Sequence, residues 1–130
     1  MSTFDKKIIK TDKAPAAVGT YSQGVEFRDM ILFSGQIGLH PETGVLASGF
    51  EAQLAQTLAN IDGLLESQNL TRDHILKTTI FLTDLSEFGK VNEAYLQYFA
   101  SPFPARSCVE VPRLPKDALI EIEVIAARKP

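Results

Sequence analysis

Apolar residues recur in this chain with two different periods, and the switches between them lay out the elements. From Phe50 to Gln68 they return every three or four residues, so that Leu54, Leu58, Ile61 and Leu65 fall on one face of a helix. Ser48, with Glu51 three positions on, offers a capping box at its start, and Asn69 can take the left-handed conformation that ends it. A second helical stretch, Leu85 to Phe99, turns Phe88, Val91, Tyr95 and Tyr98 or Phe99 inward. Asp84 stands as its cap and Glu87 completes the box.

Elsewhere the runs are short and rich in β-branched residues. Lys7 to Lys10, Val25 to Phe27, Met30 to Ile37 and Leu76 to Thr83 read as strands, the second and third joined by a turn at Arg28-Asp29. Ala14 to Thr20 is a loop by its Pro and Gly, and His40-Pro41-Glu42-Thr43-Gly44 a surface turn. Ser101-Pro102-Phe103-Pro104 breaks the chain before two last strands. In Ala105 to Val111 a period of two puts Arg106, Cys108 and Glu110 on one face and Ser107, Val109 and Val111 on the other. In Ile120 to Arg128, Glu121 and Glu123 oppose Ile120, Ile122, Val124 and Ala126. The order ββ(β)αβαββ predicts an α+β fold, a mixed sheet covered by two helices on one face. Its other face, carrying Val, Ser, Cys and charges, suits a packed subunit interface better than open water. With no internal repeat, linker or low-complexity segment, residues 1–130 read as a single domain.

Composition narrows this further. A chain of 130 residues buries only about two-thirds of its unfolded surface, which leaves apolar area for neighbouring subunits. No apolar run is long enough to span a bilayer, and Met1 to Lys6 lacks the apolar core of a signal segment, so a cytoplasmic location is expected. The lone Cys108 cannot form an internal disulfide, and no Cys/His spacing suits zinc; no metal is expected. Net charge is -3 and the basic residues are scattered, a poor footprint for a nucleic-acid partner.

Arg106 is the first candidate for chemistry. A guanidinium between a Pro-rich entry and an apolar continuation needs a partner, and its planar fork matches a carboxylate. The plain alternative is an ion pair with Glu110, Glu121 or Glu123; ion pairs in sheets are common and sites few, so the pattern alone favours it. Glu121 can act as general base or orient water if it lies near the Arg106 site and is partly desolvated, and otherwise is a solvated or salt-bridged strand residue. Cys108 has no neighbouring His or helix N-terminus to activate its thiol, which suits a small buried side chain. His40 and His74 read as surface residues. Tyr21 and Asn92 could lend a phenol and an amide to a pocket, or simply pack.

The stretch Phe103-Pro104-Ala105-Arg106-Ser107-Cys108-Val109-Glu110-Val111, followed by Leu114-Pro115-Lys116-Asp117 and Ile120-Glu121-Ile122-Glu123, closely resembles the C-terminal signature of the RidA/YjgF family, also known as L-PSP endoribonucleases. Ala14-Pro15-Ala16-Ala17, Tyr21-Ser22-Gln23, Ser34-Gly35-Gln36-Ile37, Lys77-Thr78-Thr79, Asp84-Leu85 and Val91-Asn92 resemble further family motifs in family order, so the resemblance covers essentially the whole chain. It implies a chorismate-mutase-like fold with a six-stranded sheet, assembled as a homotrimer around a central barrel with clefts between subunits. It implies hydrolysis of 2-enamines and 2-imines to 2-keto acids and ammonia without a cofactor. Arg106 would hold the substrate carboxylate and Glu121 would activate water. Cys108 would contact the ligand through its backbone, and Tyr21, Ser34, Gly35, Phe88 and Asn92 would line the cleft, with Gly35 letting the backbone approach a small ligand. Thr20 stands where the family often has Pro, and Gly38 where many relatives have Pro, which leaves the residue after Ile37 less restricted.

Two other classes compete. An endoribonuclease or translation inhibitor would call for an acid/base pair and a basic groove, which two poorly placed histidines and an acidic chain do not supply. A non-catalytic trimer binding small carboxylates would keep Arg106 but tolerate loss of Glu121.

Overall fold

Cross-strand pairing explains which residues the chain hides. The structure is a computed structural model and describes residues 5–128, so the reading of Met1 to Phe4 lies outside the described residues. Six strands form one sheet: β1 (Lys6–Ile9), β2 (Gly24–Phe27), β3 (Met30–Gln36), β4 (Ile75–Leu82), β5 (Ala105–Glu110) and β6 (Ile120–Ala127). Their spatial order is β1-β2-β3-β6-β4-β5. Only β4 and β5 run parallel, joined by the second of two α-helices, α1 (Phe50–Ser67) and α2 (Phe88–Tyr98). This is the α+β arrangement expected, and strand and helix limits fall within two residues of those read from the sequence, save the start of α2.

The register sorts the sheet into two faces. Thr78, Ile80 and Leu82 of β4 pair with Val124, Ile122 and Ile120 of β6, and all six are buried under the helices. The same β4 residues pair on their other side with Arg106, Cys108 and Glu110 of β5, which places those three on the helix side. Cys108 accordingly packs against the core rather than lying on the open face, a correction to the expected composition of that face. The open face carries Glu121 and Glu123, which pair with Phe81 and Thr79, and a row of Ile8, Val25, Leu32 and Ile125 across four strands. Ile8 and Leu32 are 57% and 46% exposed in the single chain.

Helix α1 presents a second stripe that hydropathy does not reveal. Gln53, Thr57 and Asn60, spaced four and three apart beside the apolar stripe, are all buried, while Leu58 is only half-buried. Asn60 Nδ2 donates to the carbonyls of Ile37 (3.1 Å) and Leu39 (2.8 Å), Gln53 Oε1 accepts from Leu119 N (2.8 Å), and Thr57 Oγ1 donates to the Gln53 carbonyl. Polar groups thus buried must be satisfied, and these are satisfied by pinning loops. Gly38 packs against the same helix: a Cβ there would come within 2.8 Å of Gln53 Cα and carbonyl oxygen. The segment after Ile37 is therefore tightly seated, not loosened by its glycine.

The expected caps are realised in part. Gly49 is the N-cap of α1 without a side-chain bond, so the Ser48/Glu51 box does not form, and Glu51 pairs instead with Lys90. Asn69 is left-handed (φ 58°) after the last turn, as its residue type allows. Asp84 does accept from Ser86 N (3.0 Å), but it caps a 3-10 turn, Leu85–Glu87, that precedes α2, and Glu87 pairs with Lys90 instead of closing a box.

Candidate active site

Strand β5 lies at the sheet edge, and α2 returns alongside it, so the two elements hold Arg106 between them. Its Nη1 donates to Asn92 Oδ1 at 2.6 Å, and its guanidinium carbon stands 4.9 Å from the Phe88 ring centroid and 5.6 Å from that of Tyr95. Phe88, Asn92 and Tyr95 are spaced four and three apart on α2, which puts them on one helix face. Tyr95 is fixed in turn: its hydroxyl donates to Thr78 Oγ1 (3.0 Å), and burial pushes its pKa up to about 12, so it stays neutral.

Arg106 meets no carboxylate among the described residues. Glu110, one of the three alternative partners, accepts from Leu85 N (2.8 Å), while Glu121 and Glu123 project from the opposite face of the sheet. The ion-pair alternative therefore fails on geometry. A guanidinium with two aromatic rings beside it and one of its N–H groups on an amide keeps donors available for an anion. The hollow around it, about 540 Å³, is walled by Asn92, Tyr95, Leu96, Phe103 and Pro104, and a second opens onto Leu85, Phe88 and Cys108. Burial raises the Cys108 thiol pKa, though Arg106 pulls the other way, so the thiol stays protonated.

The other candidates gather on the far side of the sheet. A cleft of about 560 Å³ is lined by Tyr21, Ser34, Gly35, Lys116 and Glu121, among others. Between Phe33 and Gln36 the β3–β6 register slips by one residue, and that bulge lifts Ser34 and Gly35 out of the ladder. Ser34 then ties down the preceding loop, its N donating to the Gln23 carbonyl (2.9 Å) and its Oγ to the Ser22 carbonyl (2.6 Å). Gly35 also lies against Glu121. A Cβ at that position would collide with the Glu121 carboxylate, lying 2.8 Å from its Cδ. The missing side chain makes room for Glu121 itself. Burial, and secondarily the Glu123 charge, hold the Glu121 carboxyl above its ordinary range.

Tyr21 is exposed and its hydroxyl accepts from Val18 N at 3.4 Å. Behind it, buried Gln23 clamps the loop: Nε2 donates to the carbonyls of Thr11, Ala14 and Pro15, and Oε1 accepts from Thr11 N at 2.7 Å. Neither Gln23 nor Lys116 stood out in the sequence as a single residue, nor did Leu96 and Phe103 beside Arg106. Of the histidines, His40 is exposed, whereas His74 is half-buried and accepts from Thr71 N through Nδ1 (3.0 Å), so it caps a turn. Among the described residues no group of His, Cys, Asp and Glu could hold a metal ion, and no helix is long and apolar enough to cross a membrane.

The residues singled out in the sequence thus fall into two groups, Arg106 with Phe88, Asn92 and Cys108 on the helix side, and Glu121 with Tyr21, Ser34 and Gly35 on the open side. The family model for Endoribonuclease L-PSP matches residues 11–128. A 2-iminobutanoate/2-iminopropanoate deaminase of Salmonella typhimurium is 48% identical over 126 residues, covering 95% of this chain and 98% of that protein. Among solved structures, a Rid-family protein from Yersinia pestis superposes with a TM-score of 0.92 at 48% identity, over 95% of this chain and 100% of the other. Escherichia coli TdcF with bound serine gives 0.90 at 43% identity, over 95% and 99%.

Proposed function

This chain belongs to the RidA/YjgF, or endoribonuclease L-PSP, family, and we infer that it is an imine deaminase, hydrolysing 2-enamines and 2-imines of the 2-aminoacrylate type to 2-keto acids and ammonia. The observation that carries the reading is Arg106, a guanidinium backed by Phe88 and Tyr95, without a carboxylate among the described residues and aimed at a hollow of small-molecule size.

Each residue has a task in this scheme. Arg106 grips the substrate carboxylate with its two-pronged fork while Asn92 keeps the fork oriented. The Cys108 backbone and the Phe88 ring border the bound molecule, and Tyr21, Ser34 and Gly35 close the cleft from the other side. The enamine tautomerises to the imine, whose C2 is electrophilic. Glu121, a carboxylate made more basic by desolvation, takes a proton from water as the water oxygen bonds to C2, and the C=N pair moves onto nitrogen, which takes a proton from solvent. The carbinolamine then collapses: Glu121 returns its proton to nitrogen, the C–N bond breaks with its pair leaving as ammonia, and the hydroxyl proton passes to solvent as the C=O forms. Such imines also hydrolyse unaided, so positioning and one polarised water suffice and no cofactor is invoked.

Arg106 and Glu121 face opposite sides of one sheet, and a second copy is needed to bring them together. The apolar row of Ile8, Val25, Leu32 and Ile125, exposed at Ile8 and Leu32 and half-buried at Val25 and Ile125, supports a homotrimer whose sheets face inward, with each cleft formed by Arg106 of one copy and Glu121 of the next. The composition fits a cytoplasmic protein, and the acidic charge gives nucleic acid no footprint.

The test is direct. 2-Aminoacrylate, released from serine by a pyridoxal-dependent dehydratase, decays in water; added protein should accelerate its loss and the appearance of pyruvate and ammonia together. Decay at the unaided rate would overturn the assignment.

A further inference from the structure

Lys116 belongs to the wall of the Glu121 cleft, yet the scheme above gives it no task. Its backbone is unusual. Lys116 is left-handed (φ 58°, ψ 22°), and so is Asp117 immediately after it (φ 58°). One left-handed residue is tolerated best at Gly, Asn or Asp; a lysine has no short polar side chain to compensate, and two in succession are costly. The surroundings impose the shape. Asp117 N donates to the Leu114 carbonyl and Ala118 N to the Pro115 carbonyl, both at 3.1 Å. Leu114 and Ala118 are buried on either side, and Arg113 Nε pairs with Asp117 Oδ1 at 2.8 Å. Strain held in this way collects at functional sites, and here it sets a lysine on the rim of a cleft.

The ammonium is also uncommitted. Lys116 is exposed, and among the described residues it makes no ion pair or side-chain hydrogen bond. A cation in a concave wall beside low-dielectric surface attracts anions over about 10 Å at moderate salt.

We propose that Lys116 is a specificity-determining residue of the cleft: its ammonium draws in carboxylate-bearing imines, making the site select an anionic substrate over a neutral one before Arg106 takes hold. The proposal rests on the deaminase reading, and its test separates the two. The variants are Lys116→Gln, Lys116→Gly and Lys116→Arg; Gly accepts the left-handed backbone freely, so it removes the charge while keeping the turn.

With 2-aminoacrylate-derived imine as substrate, the Gln and Gly variants should raise KM about tenfold with kcat within about twofold, show a shallower rise of KM with salt than the unaltered protein, and be rescued by Arg. Inhibition by pyruvate should weaken about tenfold in both, while inhibition by pyruvamide, its neutral counterpart, stays unchanged. Equal changes for pyruvate and pyruvamide, or unaltered KM in the Gln and Gly variants of an active enzyme, would overturn the role of Lys116 and leave the deaminase standing. A fall in kcat with Gln but not Gly would assign the effect to the turn and also overturn it. An unaltered protein without activity would overturn both readings.

Discussion

Arg106 and Glu121 are tuned by opposite means. Arg106 keeps its charge and gains orientation from Asn92, Phe88 and Tyr95, whereas Glu121 is made a better base by losing solvent. A charge-assisted hydrogen bond contributes about 1.5–3 kcal/mol, and a fork makes two at once. Lysine retains charge but not the planar grip, so Arg106→Lys should lower kcat/KM by at least about a hundredfold in steady-state assays, with its melting temperature little changed. Glu121 titrates above the usual carboxylate range because of burial first and Glu123 second. If it is the base, kcat/KM falls as pH drops through that raised value, and Glu123→Gln, which removes a neighbouring negative charge, should move this acid limb to lower pH. A pH profile checks the direction. Stability follows the same shift. An acid whose folded pKa is raised favours the folded state below its unfolded pKa, and loses that contribution as pH rises through the folded value. Thermal melts should therefore show Glu121→Gln more stable than the unaltered protein at pH 7, with the difference closing towards pH 4.

The elements around these residues are held by buried polar side chains more than by caps. Asn60 alone fixes two carbonyls, those of Ile37 and Leu39, in the segment that borders the Glu121 cleft. Asn60→Leu should cost about 2–4 kcal/mol by leaving both unpaired, and should raise KM as the cleft wall loosens; denaturant melts beside kinetics would show it, and an unchanged midpoint would refute it. Such contacts mark the border of what was legible beforehand. The amphipathic stripes of α1 and α2 and the alternation in β5 and β6 were plain, because burial of a periodic face is a local property. So was the alternation that sets Arg106 with Cys108 and Glu121 with Glu123, though not the side of the sheet that Arg106 and Cys108 take. The three loops pinned by Gln23, Asn60 and Gln53 were not, since their partners lie eight to sixty-six residues away. The Ser48/Glu51 box failed for a similar reason: tertiary contact gave Glu51 a better partner in Lys90. The closeness of Gly35 to Glu121 was not legible either, since only the folded sheet brings them together.

Taken as a whole, the molecule has a finished core on one side of its sheet and an unfinished face on the other. Ile8, Val25, Leu32 and Ile125 form an apolar row there beside Glu121, while Arg106 sits across the sheet. The account therefore predicts a trimer by sedimentation, and a site that no single chain completes. Mixing tests that claim most directly. Arg106→Ala and Glu121→Gln chains, each inactive alone, are unfolded together and refolded in equal amounts, and imine hydrolysis is measured on the trimers. If a cleft joins Arg106 of one copy to Glu121 of the next, three in four random trimers are mixed and each holds one intact site in three, so about a quarter of the unaltered activity returns. If trimers form and the mixture stays as inactive as its two components, the site does not lie between copies and the account is wrong.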